Sequence, residues 1–113
     1  MTYIPGRGDF VTLNFNPQVG HEQSGRRPAL VVSPRDYNQK SGLALVCPIT
    51  SKVKIYPFEV PLPTDVSISG VVLADQLKSV DWKVRQVQLV HSFENEYYDF
   101  LDDVLARIET LIR

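Results

Sequence analysis

The sequence predicts a single mainly-β domain, a small and strongly bent sheet or barrel covered by one C-terminal helix. Three observations predict it. Six or seven short apolar runs with strand-like periodicity follow one another at close spacing between residues 9 and 90, separated by Pro, Gly and polar residues. Beyond residue 91 the apolar spacing changes to steps of three and four, the mark of a helix with one buried face. The length of 113 residues supports one modest core, and no repeat, linker or low-complexity segment divides it, so residues 1–113 read as one domain.

The elements follow in order. Asp9 to Asn16 alternates as a half-buried strand with Val11, Leu13 and Phe15 on one face, and Pro17 ends it. A long polar connection, Gly20-His21-Glu22-Gln23-Ser24-Gly25-Arg26-Arg27-Pro28, leads to the apolar strand Ala29 to Ser33. Pro28 drives Arg27 towards extended backbone, so its side chain leaves the loop as the strand begins. Ser33-Pro34 reads as a capped helix start, with a short helical turn through Tyr37 that stops before Gly42. Leu43 to Thr50 is the next strand, and Pro48, lacking an amide donor, marks an edge or bulge at its end. A basic connection, Ser51 to Lys54, leads to a proline-bracketed strand from Tyr56 to Leu62, then a loop from Pro63 to Ser69. Gly70 to Asp75 and Leu77 to Val80 read as strands joined near Asp75-Gln76, and Val84 to Val90 as the last strand. Tyr97, Phe100, Leu101, Val104, Leu105, Ile108, Leu111 and Ile112 form the apolar stripe of the closing helix. Ser92 is its expected N-cap, with Glu94 and Glu96 suiting the helix dipole.

Composition narrows the classes. With 43% hydrophobic and 22% charged residues the chain has the makeup of a folded domain, not a disordered one. No apolar run reaches bilayer length and Met1 to Arg7 lacks a signal core, so the expectation is a cytoplasmic protein with no membrane partner. A lone Cys47 forms no internal disulfide and suits a reducing compartment. Ten Lys/Arg stand against seven Asp/Glu in residues 1–90, and two against six beyond, a mildly basic body with an acidic tail. That balance permits a local polyanion site rather than a general nucleic-acid coat.

The chemistry-bearing residues are few. Two histidines and one cysteine, without CxxC or HExxH spacing, make no zinc site, and the carboxylates do not cluster along the sequence, so no metal or other cofactor is expected. Cys47 lies inside an apolar strand and reads as an inert core residue. There is no GxSxG elbow and no GxxxxGK loop. What remains is Glu22, Arg26, Arg27, Thr50, Ser51, Lys52, Asp75 and Gln76. RNA cleavage needs no protein nucleophile, because the 2′-hydroxyl can attack its own phosphate. The protein must hold the phosphate, neutralise charge on its oxygens and help two protons move. An arginine fork suits those oxygens, a threonine hydroxyl can donate to another, and Arg27 opens one strand while Thr50 closes another.

Gly8-Asp9 before a strand, then Gly20-x-Glu22-Gln23-x-Gly25-x-Arg27-Pro28, then Pro48-Ile49-Thr50-Ser51, then Val72-Leu73-Ala74-Asp75-Gln76-Leu77-Lys78-Ser79-Val80 resemble the MazF/PemK family of toxin endoribonucleases in order and spacing. The resemblance runs from about Pro5 to Arg113, and the G-x-E-Q-x-G-x-R-P block is its most specific part. It implies an SH3-like barrel of the CcdB/MazF type with a C-terminal helix, working as a homodimer. It implies metal-free cleavage of single-stranded RNA, usually mRNA, to 2′,3′-cyclic phosphate and 5′-hydroxyl ends, and silencing by an acidic MazE-like antitoxin. The family's catalytic arginine and threonine match Arg27 and Thr50. Glu22, with His21 and Gln23, is assigned to substrate support, as are Ser51, Lys52, Asp75 and Gln76; the Ser51 to Lys54 loop would carry RNA backbone or antitoxin. Arg26 either assists Arg27 or is solvated, the second being favoured. His21 takes part in proton transfer or faces solvent. Asp75 and Gln76 touch bases or fix the strand connection. Trp82 and the tyrosines pack in the core or stack on bases. Two rival functions stand beside the nuclease reading: a CcdB-like toxin with the same barrel, which binds gyrase, cuts nothing and has no use for the Arg27–Thr50 pair, and an RNA-binding module without catalysis.

Overall fold

The computed structural model describes residues 2–15 and 25–113. In chain order the elements are β1 (Phe10–Asn14), β2 (Arg26–Val31), α1 (Arg35–Ser41), β3 (Leu43–Thr50), β4 (Glu59–Pro61), β5 (Val71–Leu73), β6 (Lys78–Asp81), β7 (Gln88–His91) and α2 (Tyr98–Ile112), with 3-10 turns at Ala74–Gln76 and Asn95–Tyr97. Every strand pairing is antiparallel, and the path runs β4-β5-β3-β2-β1-β7, with β6 also on β3. The result is a mainly-β antiparallel sheet with a C-terminal helix, and among the described residues the path stays open at β4 and β7.

β3 is where the sheet bends. Its first half pairs β6 from Leu43↔Asp81 to Val46↔Lys78, and its last two residues pair β5 at Ile49↔Val72 and Thr50↔Val71. Pro48 falls between these two registers, where a missing amide donor breaks no ladder. The expected edge is thus a change of partner within a central strand. Strand alternation then sorts the apolar side chains into two cores, one on each face. Phe10, Leu30, Cys47, Ile49 and Val72 pack under Leu101, Val104 and Ile108 of α2. Val11, Leu13, Ala29, Val31 and Val46 pack on the other face with Val80 and Trp82, and Phe15 joins them at the margin.

Several boundaries differ from the sequence expectation, each for a local reason. Ser33 does not cap α1: its Oγ donates to Asn38 Oδ1 at 2.5 Å and accepts the Leu45 amide at 2.8 Å, while Pro34 takes the cap position without a side-chain bond. The helix runs through Ser41 and stops at Gly42, whose φ of 74° is the left-handed end that glycine favours. Ser92 is not the cap of α2, because a 3-10 turn intervenes and Tyr97 occupies that place. β4 pairs over only Glu59–Pro61, since Pro57, Pro61 and Pro63 remove ladder donors. The strand expected from Val84 shrinks to Gln88–His91, because Arg85 and Gln86 donate their amides back to Asp81 and Lys83 in tight turns.

Candidate active site

The antiparallel register of β2 and β3 runs Val31↔Val46, Leu30↔Cys47, Ala29↔Pro48. Continued two residues, it sets Arg27 opposite Thr50 on one face of the sheet, the face whose interior holds Ala29, Val31 and Val46. Both residues line one open groove of about 550 Å³ at the margin of that core. Phe15 from the end of β1 and Pro48 lie beside them, and Leu73, Asp75, Gln76 and Lys78 form the side contributed by β5 to β6. The opposite wall is the segment after β3, with Lys52, Lys54, Ile55 and Tyr56, backed by Glu59.

Charge in this groove is unequal: Arg27, Lys52, Lys54 and Lys78 against Glu59 and Asp75. Arg27 is exposed. Thr50 Oγ1 accepts the Lys52 amide at 3.1 Å, a local turn in which the hydroxyl keeps its own proton to donate. Tyr56 hydrogen-bonds Asp75 across the groove, which holds the phenol above its ordinary pKa. Lys78 Nζ lies 5.3 Å over the Phe15 ring. A guanidinium, a hydroxyl donor and flanking ammonium groups on one open surface are fitted to grip a phosphodiester rather than a neutral ligand.

Of the residues singled out from sequence, Arg27, Thr50, Lys52, Asp75 and Gln76 come together here. Ser51 is exposed next to Thr50 but does not line the groove. His21, Glu22 and Gln23 lie outside the described residues. Arg26 corrects its expectation: one residue out of phase with Arg27, it reaches the opposite face and donates to Thr12 Oγ1 at 3.0 Å, to the Thr12 carbonyl at 3.2 Å and to the Gln86 carbonyl, so it is exposed yet not merely solvated. Trp82 packs, with its indole donating to the Asn38 carbonyl at 2.9 Å. Cys47 is buried, and burial pushes its thiol up to about 12, which leaves no thiolate at neutral pH.

A sequence model of the family described as PemK-like, MazF-like toxin of type II toxin-antitoxin system matches residues 6–109. The chain belongs to this family. It is 48% identical over 83 residues to the endoribonuclease toxin MazF of Escherichia coli K12, covering 74% of each chain. It is 35% identical over 111 residues to the endoribonuclease toxin ChpB of the same organism, covering 94% of this chain and 92% of the relative. Among solved structures, MazF of Deinococcus radiodurans superposes with a TM-score of 0.88 at 48% identity, over 98% of both chains. A MazE-MazF structure from that organism gives 0.87 at 48% identity, over 98% of this chain and 97% of the other.

Sequence reasoning missed several parts of this groove. Phe15 was placed on a buried face; its period with Leu13 was the available signal that it shares a face with Arg27. Tyr56 and Glu59 carried no motif, and Lys78 entered only within the Val72 to Val80 block, with no role of its own. Away from the groove, Asp65, Glu94 and Glu96 bring carboxylate oxygens within 4.8 Å of one another, so carboxylates scattered along the sequence do cluster in space. This exposed group is knitted by protein bonds: the Tyr97 hydroxyl donates to Asp65 Oδ2 at 2.9 Å, and Glu94 Oε2 lies 2.7 Å from His91 Nε2. The His91 hydrogen bond holds Glu94 below the usual carboxylate range, while the hydrogen bond to Glu94 lifts Glu96.

Proposed function

We propose that the protein is a toxin endoribonuclease that cuts single-stranded RNA, mRNA in particular, at short sequences and without a metal. The 2′-oxygen attacks the adjacent phosphorus in line and the bond to the 5′-oxygen breaks, leaving a 2′,3′-cyclic phosphate and a 5′-hydroxyl. One proton leaves the 2′-oxygen and one reaches the departing 5′-oxygen. Arg27 binds the phosphate and stabilises charge on its oxygens as the phosphorus becomes five-coordinate. A guanidinium is too weak an acid for proton donation to be its main role. Thr50 donates its hydroxyl to a further oxygen. Lys52 and Lys54 hold neighbouring phosphates, and Asp75 and Gln76 face the substrate. The observation that carries this reading is the shared register that directs Arg27 and Thr50 to one open, basic groove.

Membership of a toxin-antitoxin family and the likeness to MazE-MazF structures support an antitoxin partner, which we take to be acidic and to lie in the same groove. The open, folded sheet is read as an SH3-like barrel, the working form as a homodimer, and the compartment as the cytoplasm. His21, Glu22 and Gln23 are further substrate contacts in this reading.

The test is incubation with a long RNA transcript in EDTA. Discrete cuts bearing cyclic phosphate are expected, and deoxyribose at a cut site abolishes cleavage there because the attacking hydroxyl is gone. Arg27→Ala and Thr50→Ala each lose cleavage while circular dichroism stays native. Absence of cuts by the wild type, or wild-type rates in either variant, refutes the assignment.

A further inference from the structure

The segment after Thr50 is held in an unusual backbone shape. Ile55 has φ of 56°, a left-handed conformation that a β-branched residue adopts only when its surroundings impose it, and its side chain is 94% exposed, so packing does not impose it. The restraint comes from one carboxylate. Glu59 accepts the Lys54 amide at 3.2 Å on Oε1 and 3.1 Å on Oε2, and the Tyr56 amide at 3.2 Å on Oε1. Two amides on either side of a left-handed residue converge on it, a backbone concavity of the kind that binds anions, filled here by a side chain of the same protein. Arg107 of α2 donates to the Pro57 carbonyl, so the far side of the segment is fastened as well.

We infer that Glu59 is the positioning residue that sets the basic wall of the groove, fixing where Lys52 and Lys54 stand along the RNA phosphates. This rests on the nuclease reading above. Its consequence is binding rather than bond breaking, because Glu59 restrains the lysine-bearing segment and leaves the Arg27–Thr50 register to β2 and β3.

The test follows cleavage of a transcript in EDTA, with KM and kcat measured from about 50 to about 200 mM salt. Glu59→Ala is expected to raise KM about tenfold at low salt with kcat within about twofold, and to flatten the dependence of log KM on log salt by up to about 1.4, two single-strand phosphate contacts. Glu59→Gln is expected to fall between the wild type and Glu59→Ala, because a carboxamide oxygen in the Oε1 position still accepts both amides while the bond from the Lys54 amide to Oε2 is lost. In a Lys52→Ala/Lys54→Ala background, Glu59→Ala adds no further effect. An unchanged KM, a raised KM with an unchanged salt slope, a Glu59→Gln variant that behaves like Glu59→Ala, or full additivity with the lysine variant overturns the inference. Wild-type protein that makes no cuts refutes the nuclease reading; wild-type cuts with any of those four results refute only the role of Glu59.

Discussion

Thr50 accepts the Lys52 amide through Oγ1, and that single bond decides what the residue can offer a substrate. The hydroxyl is pinned as an acceptor, so its proton is directed outwards as a donor, and a side chain of equal shape without that proton would fill the same place. Thr50→Val is therefore expected to keep the fold and lose about 100- to 1,000-fold in kcat, the usual cost of one donor to a developing oxyanion. Thr50→Ser should stay within about tenfold of the wild type, and single-turnover cleavage of a transcript measures both. The neighbouring arginines differ by strand phase alone. Arg27 shares the face of Ala29, whereas Arg26 is taken up by Thr12 and Gln86. The R-P step singles out Arg27 in the sequence, and what it does not reveal is where Arg26 is held, because the strand begins at Arg26 rather than Ala29.

Elements bring these side chains together, and two junctions between them stand out. Gly70 opens β5 with φ of 123°, and a Cβ there would lie 2.1 Å from the Thr50 carbonyl oxygen. Gly70→Ala must therefore displace the end of β3, with a loss of about 2 kcal/mol or more in urea unfolding and a fall in kcat, because backbone rather than a flexible side chain stands in the way. The second junction is buried Asp9, which accepts from the Gly6 amide at 3.1 Å, the Phe93 amide at 3.0 Å, the Tyr3 hydroxyl at 2.5 Å and Arg35 at 3.0 Å. It ties the N-terminal segment, α1 and the approach to α2 to the start of β1. Asp9→Ala strands those donors and is expected to cost about 3 kcal/mol or more by equilibrium denaturation, with cleavage at low temperature retained. Local pattern made much of this legible: β3 over Leu43–Thr50, the alternating face of β1 and the stripe of α2 all follow from apolar period. The short strands β4 and β7 did not, because prolines and tight turns cut pairing shorter than the apolar runs suggest. The site was legible where strand register could be paired with a motif, at Arg27, Thr50, Lys52, Asp75 and Gln76. It was not legible where it depends on which distant segment folds across the groove, as at Tyr56, Glu59 and Phe15.

At the scale of the whole molecule, burial of Cys47 ties stability to pH in the alkaline range. The residue lies in the core beneath α2, and burial raises its thiol from an ordinary value of 9.0 to about 12. The folded state thus keeps a proton that the unfolded chain releases above pH 9. Where the unfolded state binds fewer protons, stability falls as pH rises, so the contribution is fully present below about 9 and is lost progressively until about 12. The expected loss from this one group is about 1 kcal/mol between pH 9 and 10, and on the order of 4 kcal/mol across the whole window. Tyr3, lifted above its ordinary value by burial and by its bond to Asp9, acts in the same direction from pH 10 upwards. Cys47→Ala leaves a small cavity and lowers stability at every pH, so the slope is the informative quantity. Urea midpoints at pH 8, 9 and 10 should fall steeply for the wild type and only slightly for Cys47→Ala. Parallel slopes would mean that the thiol ionises as readily in the folded protein as in the unfolded chain. A thiol reagent at pH 8 gives the complementary readout: the native protein reacts at the rate of global or local opening, and the unfolded chain reacts at once. Alkylation that proceeds only through opening, together with full cleavage by the unmodified pool, separates the core cysteine from the chemistry in the groove.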